Sequence, residues 1–137
     1  MDDAEALRGL KAAGRLAALS PQTQARMTEW SFDGLPTRLW IGSAFREIGR
    51  AIASKRSPVA DKDLKRLFAE IERLLRNSDH SIANAVATGL LEEIWKAAHH
   101  SGFDFSIVDS QLGGEARRYL VAWDDFNHTR TPGLKRR

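Results

Sequence analysis

The 137-residue sequence contains no cysteine. Disulfide staples and thiolate-bound zinc are therefore excluded, and a reducing compartment suits the chain. No apolar run approaches the roughly 20 residues of a membrane-spanning helix. The opening MDDAEALRGLKAAGRLAAL is acidic and broken by Lys and Arg, so it does not read as a secretory signal, and a cytoplasmic location is expected. No HExxH or HxxxH pair, GxSxG, phosphate-binding loop or dinucleotide fingerprint occurs. No metal, no cofactor and no catalytic residues are expected.

Free positive charge is scarce in the body. The net charge is +3, but Arg130, Lys135, Arg136 and Arg137 sit in the Pro/Gly-containing end NHTRTPGLKRR, which has no acid. Without those four the chain has 17 basic and 18 acidic residues. The reading is a domain over residues 1–126 and a basic, flexible tail over 127–137. Nucleic-acid binding is then expected to be weak, non-specific and confined to the tail.

What is present is helical periodicity. Ala4, Leu7, Leu10, Ala13 and Ala17 predict a helix from about Asp2 to Leu19, with Asp2, Asp3 and Glu5 at the positive end of its dipole. Ser20-Pro21 predicts a capped restart reaching Met27 or Trp30, and SFDGLP (31–36) a break. Ile41, Ala44, Phe45, Ile48, Ala51 and Ile52 mark a helix from Thr37 to about Lys55. Its outer row carries a ridge of Arg38, Arg46 and Arg50. Asp61 is expected to cap the next helix, whose core face is Leu64, Leu67, Phe68, Ile71, Leu74 and Leu75. Its outer face offers Arg66–Glu70 and Glu72–Arg76 pairs, four residues apart.

The stretch SDHSIANAVATGLLEEIWKAAHH (78–100) poses a sharper question, because its His, Asp and Glu are side chains of metal and acid–base sites. His99 and His100 diverge by about 100° on a helix, and His80 lies at the far end. Glu92 and Glu93 are neighbours rather than partners across a cleft, and Glu92 is placed to pair with Lys96. Meanwhile Ile82, Val86, Leu90, Ile94 and the row Ala83, Ala87, Leu91, Trp95 form one broad apolar band. The small row Ala85, Gly89 and Ala97 permits close approach of a neighbour. A helix apolar around most of its circumference is buried on several sides. The stretch reads as the central beam of an all-α single-domain bundle of five or six helices, over residues 79–99.

Gly102 is expected to close that helix, and FDFSIVDS to form an irregular or short helical connector anchored by its Phe residues. A last helix follows Gly113-Gly114, with Ala116, Tyr119, Leu120 and Trp123 inward and Phe126 near its end. Asp124 and Asp125 fall in its last turn, where acids oppose the dipole by roughly 0.3–1 kcal/mol each. They gain nothing local in return unless an Arg such as Arg130 reaches them, and such residues are candidate functional positions.

RLFAEIERLLRNSDHSIANAVATGLLEEIW followed by LGGEARRYLVAW resembles, over residues 64–123, small all-helical bacterial immunity proteins encoded beside polymorphic or contact-dependent toxins. The resemblance implies a non-catalytic protein that occludes a cognate toxin. On that reading Glu92, Trp123, Asp124 and Asp125 are the expected partner-binding residues, an aromatic anchor with flanking charges. The alternative is a small nucleic-acid-associated regulator using the Arg ridge and the tail.

Overall fold

A computed structural model describes residues 2–30 and 38–137, without the side chains of 38–40. The predicted break at 31–36 lies outside the described residues, as does the Arg38 side chain. The described residues are all-helical, with no strand, and form one domain of seven helices. These are α1 (Asp3–Ala17), α2 (Pro21–Trp30), α3 (Arg38–Ile52), α4 (Asp61–Asn77), α5 (residues 80–100), α6 (Ser106–Asp109) and α7 (Gly114–Phe126).

Local chemistry sets several of these boundaries. The Asp2 carboxylate accepts the Glu5 N–H at 2.8 Å and starts α1. Ser20 caps α2 as expected, its hydroxyl accepting the Thr23 N–H at 3.1 Å, while the Thr23 hydroxyl donates back to the Ala17 carbonyl. The cap predicted at Asp61 is corrected: Ala60 holds that position and makes no side-chain bond, so Asp61 is the first helical residue. Of the predicted pairs on α4, Glu72–Arg76 forms at 2.7 Å. Arg66 instead reaches Asp63, and Glu70 takes Arg73.

The α5 helix is the central element and touches α1, α3, α4 and α7. Its middle, Val86–Leu91, is π-helical, and every residue there except Thr88 is buried. The Thr88 hydroxyl donates to the Asn84 carbonyl at 2.8 Å, a competitor for the helical ladder where the turn widens. Here α3 crosses α5 at backbone distance. A Cβ on Gly49 would lie 2.6 Å from the Leu90 carbonyl oxygen, and one on Gly89 2.8 Å from that of Gly42. Gly89, from the small row read in the sequence, thus sits at this close crossing. Phe45, Ile48, Phe68, Leu90 and Leu91 fill the core around it.

Gly102, at φ 73°, closes α5 and lets the Phe103 N–H return to the Ala97 carbonyl. Phe103 and Phe105 are buried, as expected, and the connector continues into α6. The start of α7 is capped from another helix. Glu72 on α4 accepts the N–H groups of Glu115 at 2.7 Å and Ala116 at 3.1 Å. Gly113 leaves room for it, since a Cβ there would sit 2.4 Å from the carboxylate.

Candidate protein-binding face

The four residues expected at an interface separate in the structure. Asp124 is 1% exposed, and each of its carboxylate oxygens is occupied. Oδ1 accepts the Trp95 indole N–H at 2.7 Å and the Thr131 hydroxyl at 2.8 Å, and Oδ2 accepts the Thr131 N–H at 2.8 Å. Because that hydroxyl proton goes to Asp124, the His99 Nε2 lying 2.9 Å from the Thr131 oxygen must be a donor. The expectation that Asp124 meets a partner is therefore corrected. Burial removes it from the surface, and α5 and the following chain supply the donors that its own helix lacks.

Those donors arrive through a sharp reversal. His128 adopts φ 53°, while the Thr129 N–H bonds the Asp124 carbonyl at 3.0 Å and the His128 N–H that of Asp125 at 3.2 Å. This is the Schellman arrangement, with His128 where Gly is usual. Further on, Leu134 is buried and Gly133, at φ 88°, rests against Ser106, where a Cβ would lie 2.8 Å from the backbone nitrogen. The Asp109 carboxylate, also buried, accepts from the Lys135 N–H at 2.9 Å and from Arg117 at 2.7 Å. Arg136 pairs with Asp125. The boundary placed at 126/127 is thus corrected in its contacts: residues 131–135 pack on the body as part of the fold, and a solvated tail does not describe them.

Of the other three, Trp123 belongs to an aromatic run along α7, and Glu92 and Asp125 border it. Tyr119 stacks on Trp123 with centroids 6.4 Å apart, and Trp123 on Phe126 at 5.5 Å. Trp95 meets Trp123 edge-on at 6.1 Å from beneath. Trp123 is half-buried and its indole N–H, enclosed, has no acceptor among the described residues. Phe126 is 72% exposed. Glu92 accepts from the Tyr119 hydroxyl rather than pairing with Lys96, which approaches Glu93 at 4.0 Å. Burial, and then the bond to Glu92 and its charge, push the Tyr119 hydroxyl well above the ordinary phenol value.

The basic ridge is neutralised where it is described. Arg50 binds Glu93 at 2.9 Å and Glu47 at 2.7 Å, and Arg46 comes within 4.0 Å of Glu93. A different basic concavity lies between α1 and the α4–α5 turn. Arg8 is paired there with Asp79, whereas Lys11 and Arg15 have no ion-pair partner among the described residues. No three His, Asp or Glu side chains gather to hold a metal among the described residues.

Sequence reasoning missed Asp109, Thr131 and Glu72. Asp109 and Thr131 sit in connector and tail and lack a local pattern, and Glu72 was read as an exposed partner of Arg76.

Taken together, the described residues form an all-helical single domain, closed at its C-terminal end by two buried carboxylates and carrying on α7 an aromatic run that ends in the exposed Phe126. The chain belongs to DUF7674, a family described as a domain of unknown function, which matches residues 13–128. No curated protein and no solved structure matches it. No helix among the described residues is long and apolar enough to cross a membrane.

Proposed function

We propose that this chain is a non-catalytic, protein-binding protein of the immunity type, which acts in the bacterial cytoplasm by occluding a cognate toxin. The observation that carries this reading is the run Tyr119–Trp123–Phe126, ending in a phenylalanine that is 72% exposed. Aromatic anchors on a rigid helix are the residues that most often dominate interface energetics. Asp125, paired with Arg136 through Oδ1, and Glu92, bonded by Tyr119 through Oε2, flank the run, and each keeps its second carboxylate oxygen to offer a cationic partner. Asp124 holds the helix end that presents them.

The test is protection. Cells producing the chain should survive the toxin encoded beside it, and Phe126→Asp should abolish survival. The purified variant should stay cooperatively folded, with a somewhat lower melting temperature from the added acid in the last turn and the lost stack on Trp123, and should bind the toxin weaker by about 2 kcal/mol or more. Absence of protection by the parent chain overturns the reading.

A second reading, a nucleic-acid-associated regulator, is favoured by Lys11 and Arg15 rather than by the paired ridge. It predicts polyanion binding that falls steeply with salt and is lost in a Lys11→Gln, Arg15→Gln double variant.

A further inference from the structure

The end of α3, the loop after it, the start of α4 and the connector before α6 enclose a cavity of about 260 Å³. Its walls are apolar: Ile52, Val59, Leu64 and Phe103, with Ile107, 48% exposed, forming the lip. An apolar cavity of roughly 150 Å³ accommodates a benzene-sized guest. This one therefore has room for a ring with a short chain.

Two opposite charges stand at the rim, Lys55 and Asp104. Neither has an ion-pair partner among the described residues. Asp104 is fixed by accepting the Ser106 N–H at 3.0 Å and its hydroxyl at 2.7 Å, both through Oδ1, which leaves Oδ2 available. Gly102 leaves room for the Lys55 ammonium at the mouth. A Cβ at that position would lie 3.2 Å from Nζ, and φ 73° disfavours any other residue. An apolar well with a few placed polar groups is the usual form of a small-molecule site. A simple fatty or aryl carboxylate would match Lys55 but face Asp104, and a simple amine would meet the converse.

We propose that this cavity binds a free α-amino acid with a large apolar side chain. The side chain fills the well, the α-carboxylate lies at Lys55 and the α-ammonium at Asp104. The cavity shares no residue with the α7 aromatic run, so the inference stands apart from the protein-binding reading.

The experiment titrates the full chain with three probes that share a ring and differ in their charged group: L-phenylalanine, 3-phenylpropionate and 2-phenylethylamine, followed by backbone amide NMR. L-Phenylalanine should bind saturably, shifting amides of residues 52–59 and 102–107, with each single-charge probe weaker by roughly fivefold or more. Lys55→Met and Asp104→Asn, both at exposed positions, should each weaken L-phenylalanine by roughly fivefold while the amide spectrum stays folded. Ile107→Glu, placing a negative charge on the lip, should weaken L-phenylalanine and 3-phenylpropionate more than 2-phenylethylamine. The proposal is overturned if L-phenylalanine does not saturate, if the three probes bind alike, or if Lys55→Met and Asp104→Asn leave its affinity unchanged.

Discussion

The α3–α5 crossing and the closure of α7 by the chain that follows it solve the same problem by opposite means. At the crossing, side chains are absent: Gly49 and Gly89 let backbone carbonyls of the other helix come within what would be Cβ distance. At the closure, Asp124 and Asp109 bring carboxylates into the interior and each collects donors from far along the chain. Close apolar packing requires only that nothing protrude. A buried carboxylate requires every donor to be present, because an uncompensated buried charge is strongly destabilising. The first device fixes a distance, and the second fixes which segment lies where.

The largest effect is expected on breaking the second device. Asp124→Ala strands the Trp95 indole N–H and the Thr131 N–H and hydroxyl together, and should destabilise the fold by about 3–5 kcal/mol in denaturant melts. In the same melts Thr131→Val should be strongly non-additive with it, since both act on one cluster. A cost under about 1 kcal/mol for Asp124→Ala would show that the carboxylate does not hold the reversal.

Breaking the first device should cost less. Gly49→Ala introduces a methyl where the Leu90 backbone cannot withdraw without moving α5, and should destabilise by about 1–3 kcal/mol. Alanine is the better helix former by roughly 1 kcal/mol, so a neutral or stabilising result would mean that the crossing can open.

What was legible in the sequence follows the same division. The rows through Ile82–Ile94 and Ala83–Trp95 identified the central helix, and Gly89 marked the close approach, because helical periodicity and missing side chains are local properties. Asp124 was correctly singled out as a conflict with the dipole of α7. It was assigned to the surface because its donors lie 29 residues before it and seven after it, beyond any local pattern. Of the nearby arginines expected to reach the pair, Arg136 meets Asp125, and none bonds Asp124 among the described residues. The tail was read from its four cations, whereas Thr131 and Leu134 decide where it sits. Trp123 could be placed by spacing, but the exposure of Phe126 could not, since it depends on what packs beside the last turn.

Glu72 sharpens the comparison, because it joins two helices through charge without being wholly enclosed. Burial alone would raise its carboxyl. The N–H groups of Glu115 and Ala116, with Arg76, outweigh that and hold it below its ordinary value of 4.5. A carboxylate lowered in the folded state stabilises the fold above its unfolded value, and that contribution is lost as pH falls through the folded value. Glu72→Gln keeps one acceptor oxygen and loses the charge at the start of α7, which should cost about 1 kcal/mol at neutral pH, the usual scale of a helix cap. Protonation turns the parental side chain into a similar neutral acceptor. The two proteins should therefore differ most near neutrality and converge only as pH falls below the ordinary value of 4.5 and through the lowered folded value, as read from urea melts at a series of pH values. A difference that persists undiminished through that fall in pH would mean that Glu72 acts through its shape against Gly113, so that the start of α7, like the α3–α5 crossing, is set by fit rather than by charge.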